Sequence, residues 1–407
     1  MENREVLLKV ENLCQYFRMG KHVNRAVDNV SFEIYRGEVF GLVGESGCGK
    51  TTTGRSIIKL YDVTSGDVYF KGRRICAGVQ RYKDAISAAK KQAKEQINKL
   101  NEDSKANPDN KSYNDSKIAE IKQELSETLA TNKRLIAECN YDQKHCDKLY
   151  AKDLVEKLNK NYENKEKDDE YYHYLKLAKK AKLVTQIQMI FQDPIASLNP
   201  RMTVQEIIAE GLIIKGITDK KYIQEKVYEI LELVGLVKEH ATRYPHEFSG
   251  GQRQRIGIAR AIILNPEFII ADEPISALDV SIQAQVINLL NEIRERLGLT
   301  ILFIAHDLSV VKYFSDRIAV MYYGKIVELS TSDQIFAHPL HPYTKSLFSA
   351  IPLPDPHLEK ARKRITYNPI AAHDYRTDLP SMREVAPGHF VYCNNEEFAR
   401  YQEELNK

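Results

Sequence analysis

The segment Gly44-Glu-Ser-Gly-Cys-Gly49-Lys50-Thr51 leaves this chain few folds to choose from. It fits G-x-x-x-x-G-K-[ST] and follows Glu38-Val-Phe-Gly-Leu-Val43, an apolar run that reads as a strand. A strand that enters a glycine-rich turn and opens a helix can curl successive backbone N–H groups around a phosphate chain. The helix N-terminus adds its positive end. Lys50 can reach the terminal phosphates, and the Thr51 hydroxyl suits a Mg²⁺ ligand. Gly44, Glu45, Ser46, Gly47, Cys48, Gly49, Lys50, Thr51 and Thr52 are therefore the candidate nucleotide-binding cradle. Cys48 occupies a free position of the pattern and reads as filler.

Three more apolar runs, Glu267-Phe-Ile-Ile-Ala271, Thr300-Ile-Leu-Phe-Ile-Ala305 and Arg317-Ile-Ala-Val-Met-Tyr322, are continuous, as strands buried on both faces require. Helical patterns lie between them, which gives an α/β architecture with a mostly parallel sheet. The run ending at Ala271 is followed by Asp272-Glu273. Both acids then fall at the carboxyl end of a central strand, where open α/β sheets bind ligands. Asp272 would face Mg²⁺ and Glu273 would orient or deprotonate an attacking water. Two solvated acids in a turn before Pro274 are the bland alternative, and a weaker one after a fully apolar strand. Further on, Phe248-Ser249-Gly250-Gly251-Gln252 precedes a strongly helical stretch. This is a second anion-binding helix N-terminus. One nucleotide already has its phosphates wrapped by the first cradle, so the second serves a nucleotide held mainly by another subunit.

Composition is uneven along the 407 residues. Residues 81–180 hold 22 Lys+Arg and 19 Asp+Glu with no glycine, whereas all 19 glycines lie outside them. The block reads as helix. Ile86, Ala89, Ala93, Ile97 and Leu100 recur at helical spacing, as do Ile118, Ile121, Leu125, Leu129 and Leu135. Lys105 to Lys111 has turn chemistry around Pro108. An antiparallel hairpin with arms of about 20–25 residues is expected. A third helical stretch, about 147–182, follows with Leu149, Leu154, Leu158 and Leu175, and Asn159–Glu170 is polar enough to read as disordered. The net charge of +3 points to no particular partner. No run of 18 apolar residues is present, so no membrane span is expected. Met1–Lys9 lacks the pattern of a secretory leader, and the six scattered cysteines suggest a reduced compartment.

Six motifs in one order now define a family. They are the loop 44–51, Gln192 in Ile190-Phe-Gln-Asp-Pro194, Phe248-Ser-Gly-Gly-Gln252, Asp272-Glu273, Ser276-Ala-Leu-Asp279, and His306 in Ile304-Ala-His-Asp307. Together they resemble the ATP-binding subunit of an ABC transporter, over about 5–75 and 183–350. The resemblance implies a P-loop ABC ATPase: a RecA-like parallel sheet core, an antiparallel β subdomain and a helical signature subdomain. It implies ATP and Mg²⁺ as ligands. Phe17 would stack on adenine, with Tyr16 as the alternative. Thr51, Gln192 and Asp272 would serve Mg²⁺. Glu273, His306 and Gln192 would be the catalytic set. Ser249, Gly250, Gly251 and Gln252 would contact the γ-phosphate of ATP held by the opposite subunit, and Asp279 would organise that contact.

Residues 191–201, 273–281 and 338–347 more narrowly resemble the ATPases of oligopeptide and dipeptide importers, a group shared with nickel importers. That resemblance implies a second related ATPase subunit, two transmembrane permease subunits and an extracellular solute-binding protein. It also implies a place on the cytoplasmic face of the cell membrane. The expected units are 1–79 and 183–350 for the ATPase, 80–182 for a charged helical insertion, and 351–407 for the C-terminal extension of the group. The tail holds only Cys393, so no iron–sulfur cluster is expected, and Cys139, His145 and Cys146 lack zinc-site spacing. The insertion departs from usual members. It is expected to protrude from the antiparallel sheet, so that excising 80–180 leaves ATPase activity in place.

Other classes are weaker. A coiled-coil ABC ATPase acting on nucleic acid would need a longer hairpin and a basic stripe, and nucleic acid is not an expected partner. A P-loop kinase or GTPase would not carry Ser249–Gln252. A binding-only partner would not carry Asp272, Glu273 and His306 together.

Overall fold

The computed structural model describes residues 4–162, 168–350 and 364–405. Two sheets organise them. β1 (Val6–Met19), β2 (His22–Tyr35), β4 (Ser65–Phe70) and β5 (Arg73–Val79) form an antiparallel sheet in the order β2-β1-β4-β5. β3 (Val39–Val43), β6 (Ile187–Ile190), β7 (Phe268–Asp272), β8 (Thr300–Ala305) and β9 (Arg317–Tyr322) form the parallel part of the second sheet, in the order β9-β3-β8-β7-β6. β10 (Lys325–Thr331), β11 (Ser381–Ala386) and β12 (His389–Cys393) extend it antiparallel beyond β9. The tail therefore completes the sheet edge instead of hanging from it.

The central strands are apolar throughout because both of their faces are covered. Ile301 and Phe303 of β8 belong to one buried cluster, Leu302 and Ile304 to the other. β7 divides the same way, Ile269 and Ala271 against Phe268 and Ile270. This is the two-residue period of a strand read out as two cores. The first core packs under the helices that lie between residues 204 and 297. The second joins the parallel strands to the antiparallel sheet through Leu8, Val10, Ile34, Val68 and Phe70.

α1 (Lys50–Ile57) follows β3. α2 (Gln80–Ala106) and α3 (Lys111–Asn161) make the hairpin, with a 3₁₀ turn at Pro108–Asn110. Asn114 clasps its tip, donating to Leu100 O, Asp103 Oδ2 and Ser104 Oγ at 3.3, 2.8 and 3.0 Å. The second arm is longer than expected. α3 runs 51 residues without a break, so 147–161 continues it and is not a separate stretch. α4 (Asp169–Lys180) is the remaining piece, capped by the Asp168 side chain. Part of the stretch expected to be disordered, 163–167, lies outside the described residues.

The base of α3 is also built into the body. Tyr150 is buried in the second core, and its hydroxyl meets Lys71 Nζ and Gln186 Nε2, each at 3.1 Å. Arg73 pairs with Asp153, Arg74 with Asp142, and Gln143 donates to Ala77 O. The bounds 80–180 therefore include residues that pack into the body as well as the distal hairpin. α5 (Pro194–Ser197), α6 (Val204–Ile214), α7 (Lys220–Leu233), α8 (Gly250–Ile262) and α9 (Val280–Leu297) form the helical layer.

Candidate active site

The site gathers at the carboxyl ends of β3, β6, β7 and β8. After Val43 the chain turns through Gly44 (φ +151°), Gly47 (φ +80°) and Gly49 (φ +111°). Two of these also need glycine for space. A Cβ on Gly44 would lie 2.2 Å from Met321 O, and one on Gly49 would lie 2.1 Å from Ala26 O. Lys50 opens α1 and is almost fully buried. Its Nζ folds back over the loop, donating to Gly44 O at 2.7 Å and Glu45 O at 3.0 Å. Cys48 is buried beside it, and burial pushes its thiol pKa up. That suits a filler more than a reactive thiolate.

The Thr51 hydroxyl donates to Asp272 Oδ1 at 2.7 Å. Asp272 is fully buried at the end of β7, and burial raises its pKa while the Thr51 hydrogen bond opposes this. Among the described residues its Oδ2 has no hydrogen-bond partner, and Arg55 pairs with it at 3.9 Å. A buried carboxylate oxygen without a donor, next to a threonine hydroxyl, is a fitting oxygen donor set for a hard divalent cation.

Glu273 sits in the left-handed region at φ +42°, strained for a residue with a Cβ. Its N–H donates to Ile304 O at 2.9 Å, and the Ser276 hydroxyl donates to its carbonyl at 3.1 Å. Its side chain receives Gln192 Nε2 at 3.1 Å and faces His306 Nδ1 at 3.2 Å, both on Oε2. On the other oxygen, Oε1, stands Lys50 Nζ at 3.9 Å. Strand ends far apart in sequence thus converge on one carboxylate. With Ser46, Asp193, Ser276 and Ala277 they line an open cleft of ≈ 630 Å³.

Phe17 is half-buried on β1 and meets the edge of the Tyr61 ring at 5.3 Å. Tyr16 is engaged elsewhere: its hydroxyl donates to Asp28 Oδ1 at 2.6 Å and Arg25 lies over its ring. Of the two aromatic candidates, Phe17 is the one without such ties to β2.

The second cradle stands apart. Ser249 caps α8 through a reciprocal pair: its hydroxyl receives Gln252 N–H at 3.4 Å, and Gln252 Oε1 receives Ser249 N–H at 3.1 Å. A Cβ on Gly251 would lie 2.5 Å from Ile282 Cγ2, so α9 approaches only a glycine here. Gly250 has Leu278 as its neighbour, and Asp279 precedes α9 with a side chain that caps nothing. Among the described residues, no hydrogen bond or ion pair links 249–252 or Asp279 to 44–52.

Three residues near the site went unnoticed in the sequence. Arg55 lies one helical turn beyond Thr51, and that spacing was the available signal. Ser276 belongs to a motif that was noted but gave it no role. Tyr61 carries no local signal, because it follows α1 whereas its ring neighbour Phe17 lies on β1.

The chain matches the family "ABC transporter" over residues 27–175 and 154–276. It matches "Oligopeptide/dipeptide transporter, C-terminal region" over 327–377. It is 46% identical to the oligopeptide transport ATP-binding protein OppF of Bacillus subtilis, over 98% of this chain and 99% of that one. It is 42% identical to the dipeptide transport ATP-binding protein DppF of Lactococcus lactis, over 99% and 98%. In three dimensions the chain is similar to the ATP-binding cassette MJ1267, with TM-score 0.51 and 20% identity over 85% of this chain and 99% of the other. A second similar structure is the dimeric ATP-binding cassette MJ0796 bound to ADP and phosphate, with TM-score 0.50 and 22% identity over 80% and 99%. These two likenesses establish the fold.

Proposed function

The chain belongs to the ATP-binding subunits of oligopeptide and dipeptide ABC transporters, and on that premise we propose that it hydrolyses ATP to drive peptide import through two permease subunits. The observation that carries the reading is the convergence of Lys50, Gln192 and His306 on the Glu273 carboxylate.

The 44–52 loop wraps the phosphates of ATP. Lys50 exchanges its carbonyl contacts for the terminal phosphates and leaves Glu273 free. Glu273 takes a proton from water as the water oxygen bonds to the γ-phosphorus. The bond to the ADP oxygen breaks, and ADP and phosphate leave. Gln192 and His306 hold Glu273 and the γ-phosphate in line. Thr51, Asp272 and Gln192 would hold Mg²⁺, which would supply charge neutralisation for the phosphates. Phe17 supports the adenine ring.

Ser249–Gln252 are not part of this pocket. They serve the ATP of a second, related ATPase subunit, with Asp279 ordering the contact, so each site is completed by a companion. Closure on ATP and reopening after phosphate release form the power stroke. A groove of ≈ 410 Å³ beside Phe191, lined by Ile57, Val184, Ile214 and Leu264, receives a cytoplasmic segment of the permease. Ile214 is exposed there, and Ile195 and Ile213 are further exposed apolar side chains of the helical layer. Among the described residues, no helix is long and apolar enough to cross a membrane. The permeases hold the subunit at the cytoplasmic face, and an extracellular binding protein delivers the peptide.

Reconstitution with the permeases and binding protein tests this. ATP-dependent uptake of a labelled peptide is expected, and Glu273→Gln should abolish it. Uptake of nickel without peptide would overturn the assignment of cargo.

A further inference from the structure

The buried phenol of Tyr343 touches the phosphate loop from 298 residues away: its oxygen accepts the backbone N–H of Glu45 at 3.0 Å. We propose that Tyr343 is a positioning residue for ATP binding, through which the C-terminal region fixes the shape of the phosphate loop. This rests on the ATP-binding reading above and adds a residue outside the six motifs.

Glu45 is held at both of its backbone groups. Its N–H goes to Tyr343, and its carbonyl receives Lys50 Nζ at 3.0 Å and Cys48 N–H at 3.3 Å. The N–H taken by Tyr343 is not free to turn toward a phosphate, so it sets where the following N–H groups point. A cradle ordered in advance loses less entropy on binding.

Tyr343 is itself rigidly placed. It lies in the first turn of the helix Pro342–Ser349, and its N–H is received by His341 Nδ1 at 3.1 Å. The backbone N–H groups of Leu340 and His341 go to the two oxygens of Glu328, at 2.9 and 3.0 Å. His389 Nε2 holds the same carboxylate at 2.7 Å. Glu328 and His389 lie on the neighbouring strands β10 and β12. The Tyr343 ring packs against Tyr322 at 4.4 Å and Tyr367 at 5.6 Å. A strand pair, a histidine cap and an aromatic stack thus end on one loop amide.

The test uses the full-length nucleotide-free chain. Calorimetric titration with Mg-ATP is compared for wild type, Tyr343→Phe and Tyr367→Phe. Loss of one hydrogen bond should weaken binding by about five-fold in Tyr343→Phe. Tyr367→Phe should bind as wild type does, because the Tyr367 hydroxyl faces His373 Nε2 and not the loop. Amide exchange supplies a readout that general packing would not move. The Glu45 amide should be protected in wild type and exchange at least about ten-fold faster in Tyr343→Phe. Unchanged affinity with unchanged exchange overturns the proposal, and so does equal weakening in both variants. If Tyr343→Phe fails to fold, the wild type decides alone: an unprotected Glu45 amide overturns the proposal and a protected one supports it. Failure of wild type to bind Mg-ATP would instead overturn the ATP reading, a separate and distinguishable result.

Discussion

Glu273 and Lys50 face each other across the cleft, carboxylate to ammonium, 3.9 Å apart. In the proposed mechanism Glu273 would receive the proton from water and Lys50 would hold the phosphate, and the two are already neighbours. Removing the basic oxygen while keeping the shape separates binding from chemistry. Glu273→Gln should bind Mg-ATP within about two-fold of wild type, and its turnover in the assembled transporter should fall by roughly 10²–10⁴. Single-turnover hydrolysis checks it. A wild-type rate would remove Glu273 from its role as base.

Thr51→Val keeps the volume and deletes the hydroxyl that donates to Asp272 at 2.7 Å. A buried carboxylate then lacks its partner, at a cost of about 1–3 kcal/mol. The Mg²⁺ concentration that half-saturates turnover should rise by about ten-fold. Denaturant melts and a Mg²⁺ titration measure the two effects, and an unchanged titration would take Thr51 out of the metal set.

The central strands and the acidic pair could be read in the sequence because local chemistry fixes them. Val39–Val43 and Phe268–Asp272 are buried along their whole length, and continuous apolar runs are the direct signature of that. The glycines of the loop declare themselves for the same kind of reason, since Gly44 and Gly49 have no room for a Cβ. The base of α3 was hidden. Tyr150 and Asp153 sit in a charged helical stretch, and only their contacts to β5 and Lys71 make them part of the body. The Tyr343 bond to Glu45 leaves no local trace either, because its partners are 298 residues apart.

The hairpin divides into a structural base and a free tip. Tyr150→Ala should cost about 3 kcal/mol, through a cavity in the second core and lost bonds to Lys71 and Gln186. Replacing residues 98–119 by a short glycine–serine turn should leave the melting temperature of the body and the affinity for ATP unchanged. Thermal melts of both variants test the division. A tip deletion that unfolds the body would refute it.

His341 gives a pH signature. It is buried against His373, and burial lowers its pKa to about 3, with His373 adding to the shift. Its backbone N–H meets Glu328, and its ring nitrogen caps Tyr343 in the neutral form. The folded value lies below the unfolded one near 6.5. Its stabilisation is therefore present above pH 6.5 and is lost as pH falls toward 3. By pH 5 the loss from this group should be about 2 kcal/mol. His341→Asn keeps a capping acceptor and removes the titration, so its stability should fall by that much less between pH 7 and pH 5. Equal slopes for both proteins would contradict the assignment.

The central claim is that Ser249–Gln252 complete a pocket on another subunit, so that no single chain contains a whole site. The most direct measurement is the ATPase rate of the isolated chain, at concentrations where it is monomeric, against the rate of the assembled transporter at saturating Mg-ATP. The lone chain is expected to bind ATP but to turn over at least about 100-fold more slowly, because the donors for the γ-phosphate are missing. A monomer that hydrolyses ATP at the rate of the full complex would contradict the claim.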